Sequence, residues 1–325
     1  MARPFAVDTF ATSATIPFQR PVNGVVLPDG RLALVDVRAE QLFVLRPDGS
    51  LDQALGRHGG GPGEFQLPTS LFRLGDTLAV LDLGNNRLDL FLLGTGSVGS
   101  RPLPTGADYG APIILPGGGA ITSSSNEDSA LALLRDSSSR VVARYGRLVV
   151  PPQGRENFTQ MKEQIAAGKI PDAQRNFVIT AADPAGDVWV VSQTEGVVQR
   201  FDRSGRQLAE GRIPQGEMTA LIEAFFAANR AEKNPDALHV LNTAFNAVAR
   251  NGLSLLVALP DSVPPVLLAY DTSGALIHRQ VLPGAEGAKY LIPGLTPDEF
   301  YAVYPAEGLV FRLQRAGTGD GTPSH

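Results

Sequence analysis

Short apolar runs separated by turn residues recur along the chain and predict a series of β-strands. One copy reads Leu32-Ala33-Leu34-Val35-Asp36, followed by Leu42-Phe43-Val44-Leu45 and the turn Asp48-Gly49. A second copy has the run 78–82, which ends in Asp82, and the run 88–91, at an offset of 46 residues. Runs bounded in this way by Gly, Asp and Pro are typical of strands. Repetition at this period predicts small sheets that bury their faces against their neighbours.

Each repeat divides into four strands, a to d, which is the unit of a β-propeller. The predicted blades occupy residues 22–56, 69–104, 111–148, 177–213 and 241–282. A last unit has only three strand candidates, at 288–292, 299–304 and 309–314. A spare strand candidate, Phe5 to Ile16, precedes the first blade.

We expect this N-terminal segment to pair beside Leu309–Gln314, because closing the ring removes the exposed edges of an open array. The sequence therefore predicts an all-β protein, a six-bladed β-propeller whose N-terminal strand completes the last blade. Residues 1–316 are predicted to form a single propeller domain, followed by a flexible C-terminal tail over residues 317–325.

Two insertions, at about 153–176 and 214–236, leave the repeat and are predicted to be helical. In the first, Asn157 suits an N-cap and Gly168 a residue just past the helix end, with Phe158, Met161 and Ile165 on one stripe. In the second, the helical run covers Glu217–Lys233, and its apolar positions are Leu221, Ile222, Phe225 and Phe226.

Both insertions connect strand d of one blade to strand a of the next. In a four-stranded meander these connections emerge on the same face as the b-to-c loops. We therefore expect the two helices to share one face with the loop Arg57–Phe65. The helices either pack onto the apolar surface of the propeller or form the wall of a binding site, and the two roles are compatible.

Composition excludes several classes of function. The 325 residues include 28 basic and 33 acidic side chains, and the net charge is −5. No basic run would follow a phosphate backbone, so we expect no nucleic-acid partner. No apolar stretch reaches the ~18 residues of a membrane span, and no signal peptide is recognisable in the chain. Cysteine is absent, which removes disulfides, thiolate catalysis and sulfur-ligated metals.

One segment carries a family resemblance. Gly56-Arg57-His58-Gly59-Gly60-Gly61-Pro62-Gly63-Glu64-Phe65-Gln66-Leu67-Pro68 resembles the blade-to-blade connection of the NHL-repeat group of six-bladed propellers. The run 34–36 and the segment 81–87 look like the second strand and following turn of that group. The resemblance is good over residues 18–93 and fair over 177–213. It implies a six-bladed fold, a habit of binding, and an exported or periplasmic bacterial protein. It implies no single activity, because propellers host unrelated functions.

The sequence offers few candidates for catalysis. Arg57 and His58 beside a Gly-rich loop would suit an anion cradle, but the loop has no Walker motif and precedes a strand, which favours a blade connector. The histidines lack the i,i+2 or i,i+4 spacing of a preformed zinc site. There is no Gly-x-Ser-x-Gly motif.

Repeated polar residues near the strand ends give a second set of candidates. Asp36 and Asp82 end strand b in their blades, and they would either ligate Ca²⁺ or accept hydrogen bonds from the following turn. Their repetition favours the structural role, because an active site does not need one residue per blade. Asn23 and Asn246 are weaker candidates for ligands in the channel.

The sequence thus favours a non-enzymatic binding or scaffold propeller without a metal or cofactor site. An accessory subunit of a larger assembly is one form that this role would take. Its protein partner or small ligand is expected on the d-to-a face, with contacts from Arg57, His58, Glu64, Phe158, Lys162, Phe225 and Arg230. The alternative is a metal-dependent hydrolase or lyase, similar to the propeller lactonases, with its site in the central channel. A third possibility is a sensor domain from a larger receptor.

Overall fold

The computed structural model describes residues 4–103, 112–115, 119–123, 128–152, 157–244, 246–260 and 262–315. In this part of the chain, twenty-four strands form six four-stranded antiparallel sheets. The predicted six-bladed, all-β propeller is therefore confirmed. The predicted tail at 317–325 lies outside the described residues.

The strands follow the predicted order. The N-terminal strand is β1 (Phe5–Thr12). Blade 1 consists of β2 (Pro21–Val26), β3 (Leu32–Asp36), β4 (Gln41–Leu45) and β5 (Leu51–Leu55). Blade 2 consists of β6 (Pro68–Leu74), β7 (Thr77–Asp82), β8 (Arg87–Leu92) and β9 (Gly96–Pro102). Blade 3 consists of β10 (Ile113–Ile114), β11 (Ala120–Ser123), β12 (Ala132–Arg135) and β13 (Val141–Tyr145).

The second half of the chain carries the helices. After blade 3 come α1 (Phe158–Ala166) and α2 (Asp172–Arg175). Blade 4 consists of β14 (Val178–Ala182), β15 (Val188–Ser192), β16 (Val197–Phe201) and β17 (Gln207–Arg212), and it is followed by α3 (Gln215–Ala231). Blade 5 consists of β18 (Ala247–Arg250), β19 (Gly252–Val257), β20 (Val266–Tyr270) and β21 (Leu276–Val281). The final strands are β22 (Tyr290–Pro293), β23 (Glu299–Tyr304) and β24 (Leu309–Arg315).

The first strand of each blade lies nearest the axis of the ring. Strand β2 contacts β6 and β22, β14 contacts β10 and β18, and β18 contacts β22. The second strands are packed on both sides by neighbouring blades, and every residue of β3 and β15 is buried. This two-sided burial explains why the second strands appear in the sequence as unbroken apolar runs instead of alternating ones.

Strand β1 closes the ring, as the strand count predicts. It pairs antiparallel with β24, in a register from Phe5 opposite Arg315 to Thr12 opposite Leu309. Phe5 is buried and lies edge-on to Phe300 of β23, with 5.6 Å between the ring centroids. The last blade therefore takes its outer strand from the start of the chain.

The two long helices confirm the helical nature of the insertions. Asn157 caps α1 by accepting a hydrogen bond from the Gln160 amide at 3.1 Å, and Gly168 has the positive φ of +73° expected just past the helix end. Helix α3 begins and ends two residues before the predicted Glu217–Lys233. No helix in the described ranges is long and apolar enough to cross a membrane.

Close contact between blades makes Gly49 sensitive to substitution. This residue has φ +85° at the tip of the β4–β5 hairpin, and a Cβ there would lie 2.1 Å from the Phe10 carbonyl oxygen of β1. Gly94, at the corresponding tip of the β8–β9 hairpin, has φ +82° and nothing within 4 Å of its Cβ position.

We expect Gly49→Ala to lower the free energy of unfolding by about 3 kcal/mol, since backbone strain of ~1 kcal/mol and overpacking of ~2 kcal/mol add. Gly94→Ala carries the backbone strain alone and is expected to cost about 1 kcal/mol. Chemical denaturation of both variants measures the difference. If both variants lose the same free energy of unfolding, the tip of the β4–β5 hairpin has room for a methyl group beside blade 6.

Candidate functional site

The predicted contact residues fall into two groups on the face that carries the d-to-a connections. Arg57, His58 and Glu64 lie on the loop between blades 1 and 2. Phe158 and Lys162 lie on α1, which precedes blade 4, and the remaining two lie on α3, which precedes blade 5. The connections are separated around the ring, so the seven residues do not form one site.

The charged side chains of the Gly-rich loop are paired with nearby acidic side chains. Arg57 Nη2 donates to Glu64 Oε1 at 2.8 Å, and the same carboxylate accepts the Gly61 amide at 2.8 Å. The hydrogen bonds from Gly61 and Arg57 hold the pKa of Glu64 below its ordinary value. His58 Nδ1 lies 2.5 Å from Glu40 Oε2. The Arg57 and His58 side chains are 79% and 77% exposed, so these pairs are solvated.

The backbone of this loop is oriented against binding an anion. Arg87 of β8 donates to the carbonyl oxygens of Gly60, Gly61 and Glu64, and Asn85 Nδ2 donates to the Gly59 carbonyl. An anion cradle needs amide N–H groups that converge on a ligand. Here the carbonyls converge on a cation of the protein itself, which supports the interpretation as a blade connector.

Asp36 and Asp82 act as acceptors for the connecting segments. Asp82 accepts the amides of Gln66 and Leu67 at 2.9 to 3.2 Å. Asp36, fully buried, accepts four backbone amides at 2.7 to 3.0 Å, from Gln19, Arg20, Arg38 and Ala39. The geometry therefore matches the structural role and engages the oxygens that a calcium ring would need.

The two asparagines proposed as channel ligands bridge neighbouring blades. Asn23 Oδ1 accepts the Leu71 amide of β6 at 3.1 Å. Asn246 makes two hydrogen bonds to the backbone of Leu291 on β22, at 2.6 and 2.8 Å. Their side-chain amides connect the innermost strands of neighbouring blades, so these groups are already hydrogen-bonded within the protein.

The histidines of the described ranges lie apart. His58 pairs with Glu40, His239 Nε2 lies 3.0 Å from Glu232 Oε2, and His278 lies half-buried on β21. Within the described ranges, no group of three or more His, Asp or Glu side chains is arranged to hold a metal ion.

The helical insertions frame an open groove of about 470 Å³. Both α1 and α3 contribute to it, together with the segment that follows α3. Ile165 and Phe226 are partly buried and pack against the core of blades 4 and 5, so they form an apolar floor. The full lining is Lys162, Ile165, Ala166, Gly168, Phe226, Asn229, Arg230, Glu232, Asn234 and Ala237.

The inner face of α3 corrects one predicted contact residue. Phe225 is only 4% exposed and belongs to the core, beside Met218 and Leu221, so it does not reach a partner. The next residue, Phe226, lies about 100° further around the helix and reaches the groove instead. The stripe in the sequence contained both residues but did not show which one faces outward.

Helix α3 is also fixed by an ion pair whose carboxylate is buried. Glu217, 5% exposed, accepts a hydrogen bond from Arg279 Nε of β21 at 2.7 Å. With its apolar face in the core and its first turn tied to blade 5, α3 is a rigid wall of the groove. One face of the helix therefore packs on the propeller and another lines the open groove, and a role in binding stays a prediction.

Polar contacts shape the groove. Lys162 Nζ donates to the Pro235 carbonyl and lies 4.8 Å from the centre of the exposed Phe158 ring. Asn229 makes two hydrogen bonds with the backbone of His239, at 3.0 and 3.2 Å, and no pattern in the sequence marks this role.

Arg230 is the free charge of the groove. The neighbouring acid, Glu232, is already engaged: hydrogen bonds from the Asn234 amide and from His239 hold its pKa below the ordinary value. Arg230 is exposed, and no carboxylate in the described ranges pairs with it. The groove therefore combines an apolar floor with a cation available for a ligand.

Comparison with known proteins supports the fold and not a family. No protein-family model matches the chain, and no curated protein matches it. Among solved structures, a calcium-binding regucalcin from Agrobacterium tumefaciens is 12% identical, with 98% of this chain and 97% of that chain covered and a TM-score of 0.53. The PQQ-bound aldose sugar dehydrogenase of Streptomyces coelicolor is 11% identical over 96% and 99%, with a TM-score of 0.53.

A virginiamycin B lyase from Staphylococcus aureus is 11% identical, over 95% of this chain and 99% of that chain, with a TM-score of 0.50. Identities this low show a shared overall fold alone and carry no activity over to this chain. Membership of the NHL-repeat group stays a prediction.

Proposed function

We propose that this chain is a non-enzymatic binding propeller that engages a segment of a partner protein through the groove between α1 and α3. The observation that carries the proposal is the composition of this groove, an apolar floor with an unpaired arginine beside it. The groove is built from insertions that interrupt an otherwise regular repeat. The resemblance to NHL-repeat propellers points to binding as well.

The chemistry of the groove specifies what it accepts. Ile165, Ala166 and Phe226 offer apolar surface to one or two hydrophobic side chains. Arg230 is placed to pair with a carboxylate, and a guanidinium binds a carboxylate through two parallel hydrogen bonds. A partner segment with an acidic residue close to a hydrophobic one fits both requirements. Because α3 is anchored, little ordering cost is expected on binding.

Selection from a displayed peptide library tests the proposal. We expect the chain to enrich peptides that carry Asp or Glu next to a hydrophobic residue. For a selected peptide, Arg230→Glu is expected to weaken binding at least about tenfold, because it replaces attraction by repulsion at a pair of this kind. Ala166→Arg is expected to do the same by filling the groove from an exposed helix position.

Lys233→Glu provides the matched control. Lys233 is exposed, lies near the end of α3 and does not line the groove, so its reversal makes the same charge change nearby. If Arg230→Glu and Lys233→Glu lower the peptide affinity equally, the effect comes from the overall charge of the chain and not from the groove. Enrichment of no peptide, or of peptides that bind Arg230→Glu and Ala166→Arg as tightly as the unmodified chain, would refute the proposal.

A further inference from the structure

A second recess opens where the ring closes, between blade 6 and blade 1. Its volume is about 290 Å³, near the lower end of the range for small-molecule pockets. Gln19 and Arg20 immediately precede β2, and Tyr290 begins β22, so the recess lies beside the starts of two innermost strands. The full lining is Gln19, Arg20, Arg38, Lys289, Tyr290, Pro305 and Ala306.

The charge of this recess is one-sided. Three of its seven lining residues are cations and none is an acid, although the chain as a whole carries a net charge of −5. The side chains of Arg20 and Arg38 are exposed, and no carboxylate of the described ranges pairs with either guanidinium. Opposite charges attract, so an anion that enters this recess is attracted by the guanidinium groups that line it.

The recess is held in shape by the fold beneath it. The buried Asp36 carboxylate accepts the backbone amides of both Arg20 and Arg38, at 2.8 to 3.0 Å, and so fixes the two arginines relative to each other. Lys289 is fixed through its amide, which donates to the Val303 carbonyl at 2.8 Å. Burial raises the pKa of the Tyr290 phenol, and the positive charge of Arg20 opposes this shift.

We infer that this recess is a binding site for a small multivalent anion, one that carries a phosphate or several carboxylate groups. The two guanidinium groups of Arg20 and Arg38 match such oxygens in a planar, bidentate geometry. Tyr290 and Pro305 supply an apolar wall for the organic part of the ligand. This site is separate from the groove between α1 and α3, so an experiment that refutes one of the two proposals leaves the other untouched.

Isothermal titration calorimetry on the full chain at low ionic strength tests the site, with pyrophosphate and citrate as probes. We expect saturable binding of at least one probe at one site per chain. Arg20→Gln and Arg38→Gln are each expected to weaken that binding about tenfold, the change that follows from losing one charge-assisted contact. The probe that binds more tightly, pyrophosphate or citrate, indicates whether the ligand carries phosphate or carboxylate groups.

Arg73→Gln is the matched control. Arg73 is also an exposed arginine that lines a recess, but that recess lies among the a-to-b loops and contains Asp29 and Asp76. We expect this variant to bind the probe as the unmodified chain does, and all three variants to melt at similar temperatures. No heat of binding with either probe up to about 10 mM, or equal weakening by all three substitutions, would overturn the inference.

Discussion

A chain that lacks residues 1–12 is expected to lose its cooperative unfolding transition. Strand β1 is the outer strand of blade 6, and it pairs with β24 along its whole length. Its removal exposes the edge of β24 and takes away the buried side chains of Phe5 and Ala11. The ring then has an open sheet edge, which promotes pairing with other chains. We expect a loss comparable to the entire stability of a domain, about 5–15 kcal/mol.

Thermal and urea unfolding, followed by circular dichroism and light scattering, measure this effect. A chain that lacks only residues 1–4 is the control, because β1 begins at Phe5, and it is expected to unfold like the intact protein. A synthetic peptide of residues 5–12, the span of β1, is expected to restore part of the transition to the longer deletion. A sharp transition near the original midpoint in the longer deletion would show that the ring does not depend on β1.

The sequence was sufficient to predict this closure for a physical reason. Second strands buried between blades leave unbroken apolar runs, and hairpin tips need Asp, Ser or Gly, so blades can be counted. The count left three strands at the C-terminus and one at the N-terminus. An unpaired sheet edge is unfavourable in a propeller, so the spare N-terminal strand was expected to pair with the last strand of the incomplete blade.

The candidate sites were less accessible to sequence reasoning. Phe225 and Phe226 are adjacent and equally apolar, and only the contact between α3 and the core decides which one is buried. The basic recess is built from Arg20 and Lys289, which come from opposite ends of the chain. Their proximity depends on ring closure, and each alone has the appearance of an ordinary surface cation.

Asp36 shows that a structural role and a functional one can share a residue. Its place at the end of a repeated strand favoured a hydrogen-bond acceptor, and the structure has it accept four amides. Two of those amides belong to Arg20 and Arg38, the arginines of the proposed anion site. The same carboxylate that fastens the connection between blades 6 and 1 also sets the spacing of the cations above it.

Asp36→Ala is therefore expected to lower the free energy of unfolding by about 3–5 kcal/mol, because four backbone amides lose a charged acceptor in a buried position. Asp36→Asn retains one carbonyl oxygen but turns an NH₂ group toward N–H donors, so we expect an intermediate loss. Urea denaturation measures both, with the exposed Asp8→Ala as a control that leaves stability unchanged.

Asp36→Asn also tests whether Asp36 keeps Arg20 and Arg38 in place for anion binding in the recess. Removing one negative charge near the two arginines would by itself strengthen anion binding. A loosened connection would weaken it, by letting Arg20 and Arg38 move apart. We expect the second effect to dominate, so that folded Asp36→Asn binds the better of citrate and pyrophosphate more weakly than the unmodified chain. Tighter binding would show that Asp36 acts on the recess through its charge. Stability equal to that of Asp8→Ala would show that the four amides find other acceptors.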